Sequence, residues 1–230
     1  ANYFYQYGMD RPRIEFADGS YWDGFAVDRK LQSSGDDLQG APVDDVLDGG
    51  TGSDNVQGGD GNDTIKGGTG NDYLYGRNGD DSLQGNEHND DLYGNAGNDT
   101  LDGGSGNDYL SGETGADTYL FGKGSGQDTL YNYDSDAIGS NADTILLGAG
   151  IATTGVTLTR SGNDLIIGLN GTDDSLRVQS YFTTDGTSNY VVENLKFADG
   201  TVWDVATIKA KVLTPTVGND TFTGYATADA

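Results

Sequence analysis

The sequence predicts an all-β fold, a parallel β-roll: a solenoid of short stacked coils, closed by mostly β capping segments with short helices. Three columns of residues predict it. From Gly40 to about Leu120 the chain repeats every nine residues without a slip, and glycine opens each unit, at Gly40, Gly49, Gly58, Gly67, Gly76, Gly85, Gly94, Gly103 and Gly112. Aspartate holds the sixth place, at Asp45, Asp54, Asp63, Asp72, Asp81, Asp90, Asp99, Asp108 and Asp117. An apolar residue holds the eighth, at Leu47, Val56, Ile65, Leu74, Leu83, Leu92, Leu101, Leu110 and Tyr119. Three columns kept in register through nine successive units mark a repeat architecture rather than a bias of composition.

Each unit has a local reason to fold. Its first six residues, as in Gly58-Gly59-Asp60-Gly61-Asn62-Asp63, suit a turn, because glycine takes positive φ freely and Asn or Asp tolerates it. The last three, Thr64-Ile65-Lys66, suit a short strand with one side chain pointing in, since side chains alternate faces. Two units close one coil of about eighteen residues, and coils stack at the parallel-strand spacing of roughly 4.8 Å. Each unit therefore lies over the next but one. Asp45, Asp63, Asp81, Asp99 and Asp117 line one edge; Asp54, Asp72, Asp90 and Asp108 line the other, which Asp128 in Gly124-Ser125-Gly126-Gln127-Asp128 extends.

Like charges one coil apart repel unless a cation lies between them. Carboxylates and turn carbonyls are hard oxygen ligands, and with no Cys and one His the donor set favours calcium over zinc or copper. Magnesium suits it less, because it holds its waters and a tight octahedron. The bland alternative is a disordered Gly/Asp linker, but disorder needs no hydrophobic residue at every eighth place.

These rows resemble the Gly- and Asp-rich calcium repeats of the RTX (haemolysin-type) family, written G-G-x-G-x-D-x-U-x. The resemblance implies a calcium-loaded solenoid that leaves Gram-negative bacteria unfolded through type I secretion machinery and folds outside, where calcium modules work at about 10⁻⁴–10⁻³ M. Several ions are expected, about eight in all, on the ten aspartates named. Gly115-Ala116-Asp117-Thr118-Tyr119-Leu120-Phe121 resembles the family's exit, where aromatics replace small residues. Ser161-Gly162-Asn163-Asp164-Leu165 and Gly171-Thr172-Asp173-Asp174-Ser175-Leu176 resemble the capping segment that follows such blocks.

Composition agrees. The net charge is −25 over 230 residues, and Glu stands only at positions 15, 87, 113 and 193, so 33 of the 37 acidic residues are Asp. A general need for negative charge would use both; turns and compact calcium ligands prefer Asp. Such acidity disfavours nucleic acid and anionic membranes as partners of the bare protein. Disulfides are excluded by the lack of cysteine. No apolar run approaches transmembrane length, no signal peptide opens the chain, and Ala1-Asn2-Tyr3 reads as an internal cut.

In chain order, Ile14–Asp23 reads as strand, Asp18-Gly19 turn, strand, with Asp23 capping a short helix that carries Val27 and Leu31. Leu195–Asp204 reads as the same hairpin, followed by a helix with Val205, Ile208 and Val212 on one face. Gly35-Asp36-Asp37 matches Gly218-Asn219-Asp220, so a repeat of about 180 residues overlies the shorter one. The expected division is the end of a preceding cap at 1–31, the β-roll at 32–133, a capping segment at 134–213 and the start of a following block at 214–230. Within the cap, Asp143–Leu147, Val156–Arg160, Asp164–Leu169, Ser175–Gln179 and Tyr190–Phe197 read as strands. A cap is needed, because an open stack ends in unpaired backbone groups.

Two departures stand inside the block. The unit Gly85-Asn86-Glu87-His88-Asn89-Asp90 lacks two glycines, and its His88 reads as a substitution in a surface turn. The first unit, Gly40-Ala41-Pro42-Val43-Asp44-Asp45, is degraded, so its calcium site should be weak. Outward places seven and nine carry Tyr73, Tyr75, Tyr93 and Tyr109 in the even units. That tyrosine face is either covered by the chain's own segments or is a stacking surface for a sugar or partner.

No catalytic constellation is present: there is no Cys, and the only His lies in a repeat turn. The expected function is a calcium-binding structural module of an exported bacterial protein, secreted or at the cell surface, that is unfolded in low calcium and folds into a β-roll in extracellular calcium. Two other readings stay open: an adhesin module holding a glycan or other cell-surface ligand, and an RTX tail of a toxin or secreted enzyme.

Overall fold

The structure is a computed structural model that describes residues 13–15, 21–23, 28–30, 35, 37–135 and 141–213. It is a parallel β-roll. One sheet runs in the order Asp37–Gln39, Asn55–Asp60, Tyr73–Asn78, Asp91–Ala96, Tyr109–Thr114, Gln127–Leu130, Ser175–Val178, Asp164–Leu169 and Val156–Ser161. The other runs Asp28–Lys30, Val46–Thr51, Thr64–Thr69, Ser82–Glu87, Thr100–Ser105, Thr118–Phe121, Thr144–Leu147, Asn194–Lys196 and Val202–Asp204. Consecutive units alternate between the sheets, so Tyr75 pairs with Tyr93 and Ile65 with Leu83.

The eighth-place residues form the core. Leu47, Val56, Ile65, Leu74, Leu83, Leu92 and Leu101 are wholly buried, in two single files that face each other between the sheets. At roughly 1.5–3 kcal/mol for each buried aliphatic side chain, such a file supplies little hydrophobic stabilisation per residue of chain ordered.

The strands are longer than the three residues expected. From Val46–Thr51 to Tyr109–Thr114 each has six, as in Thr64–Thr69, and continues through the first three places of the next unit. Thr64, Ile65 and Lys66 pair in register with Val46, Leu47 and Asp48; the ladder skips Gly67 and resumes at Gly68 and Thr69, opposite Gly50 and Thr51. Only places four to six, as in Gly70-Asn71-Asp72, turn the chain. The reason is that backbone groups left in a six-residue turn would need partners, and the coil below supplies them once the second place takes a left-handed φ, as Gly68 does at 115°. Non-glycine residues take that conformation at Arg77, Asn86, Asn95 and Glu113.

The helix expected after Asp23 is a second correction. Asp28–Lys30 is a strand, parallel to Val46–Asp48. The open edge of Val46–Thr51 offers unpaired backbone groups, and pairing them outweighs local helix signals; Val27 and Leu31 lie outside the described residues. Arg13–Glu15 and Tyr21–Asp23 do pair antiparallel, with Ile14 opposite Trp22, and the turn between them also lies outside.

At the other end the stack is closed by a change of direction. Asp164–Leu169 runs antiparallel to both Val156–Ser161 and Ser175–Val178, and Asn194–Lys196 runs antiparallel to Val202–Asp204. The expected strand Tyr190–Phe197 shrinks to Asn194–Lys196, because Tyr190 instead packs on Tyr131 and Tyr133. The helix Val205–Val212 follows as expected, capped by Asp204, whose Oδ1 accepts from the Thr207 N–H at 2.8 Å. Phe197 and Trp203 meet edge to face with centroids 4.7 Å apart, and Lys211 Nζ lies 4.0 Å over the Trp203 ring. Among the described residues no helix is long and apolar enough to cross a membrane.

Candidate metal centre

The sixth-place aspartates stand where each coil turns between sheets. Asp45, Asp54, Asp63, Asp72, Asp81, Asp90, Asp99, Asp108, Asp117 and Asp128 are all at most 4% exposed, a burial that carboxylates seldom show unless paired. The register brings them into the two expected files. In one file the Asp45 N–H donates to Asp63 Oδ1 at 2.8 Å, Asp63 to Asp81 at 2.7 Å, Asp81 to Asp99 at 2.8 Å and Asp99 to Asp117 at 2.9 Å. In the other, Asp54 donates to Asp72 at 2.8 Å, Asp72 to Asp90 at 2.8 Å, Asp90 to Asp108 at 2.9 Å and Asp108 to Asp128 at 3.0 Å. One oxygen of each accepting carboxylate is thus held by the main chain of the coil below.

The second oxygen is not. Oδ2 of Asp63, Asp72, Asp81, Asp90, Asp99, Asp108 and Asp117 is buried and accepts no hydrogen bond. In Asp45 one oxygen takes the Ala41 N–H and the other is left alone. Each Oδ2 lies over the first-place glycine of its own unit. A Cβ on Gly67 would run into Asp72 Oδ2 and come within 2.9 Å of the Gly85 carbonyl oxygen one coil on; one on Gly76 would meet Asp81 Oδ2 and, at 2.7 Å, the Gly94 carbonyl. The hollow that glycine leaves is bordered by acceptors and supplied with no proton.

Burial is the main cause that pushes these carboxyls up, to about 7 for Asp63 and Asp99, about 6 for Asp72, Asp81 and Asp108, and about 8 for Asp90, Asp117 and Asp128. The main-chain N–H at Oδ1 opposes the rise, and the next aspartate in the file adds to it for Asp63, Asp90 and Asp117. Unpaired buried carboxylates are costly, and a divalent cation removes that cost. The donor set is carboxylate and carbonyl oxygen throughout, which suits calcium. Among the described residues no three acidic, His or Cys side chains converge, so main-chain carbonyls would complete any coordination shell. The residues fit calcium.

The files run further than the nonapeptide columns. The Asp117 N–H donates to Asp143 Oδ1 at 2.8 Å, and the Asp143 N–H to Glu193 Oε2 at 2.9 Å. Asp143 was legible: Asp143-Thr144-Ile145 repeats the triplet Asp63-Thr64-Ile65. Glu193 carries no such signal. On the other edge Leu176 stands opposite Asp128, so that file ends on an apolar residue. A ladder of exposed side chains also went unread. At the fifth place, Asn62 N–H donates to Asp44 Oδ1, Asp80 to Asn62 and Asn98 to Asp80, in the direction opposite to the sixth-place ladder. His88 is exposed with φ at 82°, and its N–H donates to the Ser105 carbonyl at 2.8 Å, as a residue standing in for glycine would.

The outer tyrosines share one sheet face as expected. Tyr75 and Tyr93 stack with centroids 5.0 Å apart and planes 8° from parallel, and Tyr109 follows at 5.8 Å, tilted by 46°. These three are half-buried, while Tyr73 is 49% exposed. Tyr75 and Tyr93 each turn one ring face towards the other.

Residues 39–74, 48–83, 84–119 and 93–130 match the RTX calcium-binding nonapeptide repeat, and residues 164–207 match the haemolysin-type calcium binding protein related domain. Over 108 residues, 47% of this chain, the sequence is 47% identical to the iron-regulated protein FrpA of Neisseria meningitidis serogroup C. The match spans 10% of that protein's length. Among solved structures, the extracellular lipase LipA from Serratia marcescens aligns over 64% of this chain and 38% of its own at 18% identity, with a TM-score of 0.26, too low for any argument about fold or activity. The repeat family is structural and non-catalytic. With their glycine, aspartate and core columns stacked as these repeats require, residues 39–130 form an RTX-type calcium-binding nonapeptide-repeat module of a secreted bacterial protein.

Proposed function

We propose that this module is a calcium-operated folding switch, unfolded at the calcium level of the bacterial cytosol and folded after export. The ligands are Asp45, Asp54, Asp63, Asp72, Asp81, Asp90, Asp99, Asp108, Asp117 and Asp128 with turn carbonyls, taking about eight ions. The observation that carries the reading is the row of buried, unaccepted Oδ2 oxygens. Calcium supplies the missing positive charge at each level, and it binds the coil but not the extended chain. A ligand of the native state alone stabilises it by mass action. The thin core makes that contribution decisive.

The wider setting belongs to the same proposal. Residues 32–133 form the calcium roll, 134–213 its cap, and 1–31 and 214–230 belong to neighbouring units of a longer array exported by type I machinery. A glycan-binding role for the tyrosine face has less support, because a sugar would need ring faces that Tyr75 and Tyr93 present to each other.

A circular dichroism titration tests the switch. The expected result is little β signal in chelator and a cooperative rise at millimolar calcium; the same β spectrum in both would refute it.

A further inference from the structure

Along the file that starts at Asp45, every level up to Asp117 leaves one carboxylate oxygen without a hydrogen bond. The level above does not. Asp143 is 3% exposed and takes the Asp117 N–H on Oδ1 like its predecessors. Its Oδ2, however, accepts from Asn132 Nδ2 at 2.7 Å.

Asn132 is itself 2% exposed and nearly saturated with partners. Its Nδ2 also donates to the Val191 carbonyl at 3.0 Å, and its Oδ1 accepts from the Tyr119 hydroxyl at 2.6 Å. Tyr119 occupies the eighth place, where earlier units carry an aliphatic residue, and its hydroxyl oxygen accepts from the Gly112 N–H at 3.0 Å. Donors therefore point one way, from Gly112 through Tyr119 and Asn132 to Asp143. The chain of neutral donors ends on Oδ2, the oxygen that lacks any donor from Asp63 to Asp117.

We infer that Asn132, oriented by Tyr119, is the terminator of this cation file: its amide takes the place of the ion at Asp143, so the last ion on this edge lies at the Asp117 level. The inference rests on the calcium reading above. Its physical basis is that a buried carboxylate must be neutralised or fully hydrogen-bonded. Two amide or main-chain N–H donors satisfy Asp143, whereas Asp117 has one. An ion at Asp143 Oδ2 would face the NH₂ group of Asn132, which has no lone pair to offer. The period explains why the device sits here. Asp143 follows Asp117 by 26 residues instead of eighteen, and Asn132 continues the register that sets Leu130 opposite Leu110, so it stands one coil on from Gly112, in the column where earlier units carry glycine. The roll thus passes from metal-held coils to a protein-held cap at one residue.

Calcium-site mapping by anomalous diffraction from calcium-saturated wild-type crystals tests this directly. Anomalous peaks are expected at the Asp63 to Asp117 levels with none bonded to Asp143; a peak within bonding distance of Asp143 Oδ2 overturns the inference. Calcium bound nowhere along the file would instead refute the calcium reading itself, so the two failures are distinct. Native mass spectrometry of Asn132→Asp at pH 8 provides the second arm. This near-isosteric change sets a carboxylate against Asp143, and the variant should bind one calcium more than wild type. An unchanged count in the folded variant overturns the inference. Should the variant not fold at any calcium level, the wild-type map decides alone.

Discussion

At the scale of the residue, the first-place glycine and the sixth-place aspartate make one device. Glycine is required at Gly67 for room, since its φ is not left-handed, and at Gly68 for backbone as well, with φ at 115° and the Gly50 carbonyl in the way of any Cβ. The two positions should therefore fail differently. Gly67→Ala is expected to lose one calcium, seen by calorimetry, and to melt lower in saturating calcium. Gly68→Ala should melt lower in saturating calcium with its calcium count unchanged. The aspartates allow a sharper contrast. Asp72→Asn keeps the Oδ1 that accepts from the Asp54 N–H and puts an NH₂ group where Oδ2 was. Asp72→Ala strands that N–H, at a cost of about 1–3 kcal/mol. Both should lose calcium on their own edge only, leaving Asp63 and Asp81 loaded. In saturating calcium Asp72→Asn should melt above Asp72→Ala, and equal melting would count against the hydrogen-bond ladder.

At the scale of the element, the nine-residue period made most of the roll legible, because each column answers to a separate physical demand. The core column, both aspartate files and the shared face of Tyr73, Tyr75, Tyr93 and Tyr109 follow from counting alone. Strand length did not follow, since pairing of Gly50 with Gly68 depends on the neighbouring coil and not on local propensity. Asp28–Lys30 was misread for the same reason: a sheet edge that sequence cannot display captured it. Glu193 and Asn132 were missed because the chain between Asp117 and Asp143 breaks the period and register can no longer be counted across it; Asp143 kept the Asp-Thr-Ile triplet of Asp63, a signal that the fixed nine-residue count passed over. The tyrosine ladder yields a prediction at this scale. Stacked aromatic pairs contribute about 0.5–1.5 kcal/mol beyond their buried area. A double-mutant cycle of Tyr75→Ala and Tyr93→Ala, followed by thermal melting in saturating calcium, should return a coupling in that range. Tyr73→Ala, which alters an exposed ring, should change stability by less than about 0.5 kcal/mol.

At the scale of the whole molecule, two files of buried carboxylates make proton and calcium rival ligands of one fold. In the calcium-free chain the folded-state values of about 6 to 8 exceed the ordinary 3.8. The sign follows from linkage: below about pH 4 both states are protonated and the carboxylates cost nothing. As pH rises the unfolded chain ionises first, so stability falls, most steeply up to the folded-state values and no further above them. Acid should therefore favour the calcium-free roll, which is the reverse of ordinary acid denaturation. With calcium the dependence inverts, because the ion binds the ionised carboxylates and must displace protons to do so. Circular dichroism of the chain in calcium-free buffer should show β signal growing from pH 8 to pH 5. Calorimetry over the same range should show calcium affinity falling and protons released on binding. A calcium-free chain that loses β structure on acidification, or calcium binding without proton release near pH 6, would mean that the files are not buried as unpaired carboxyls.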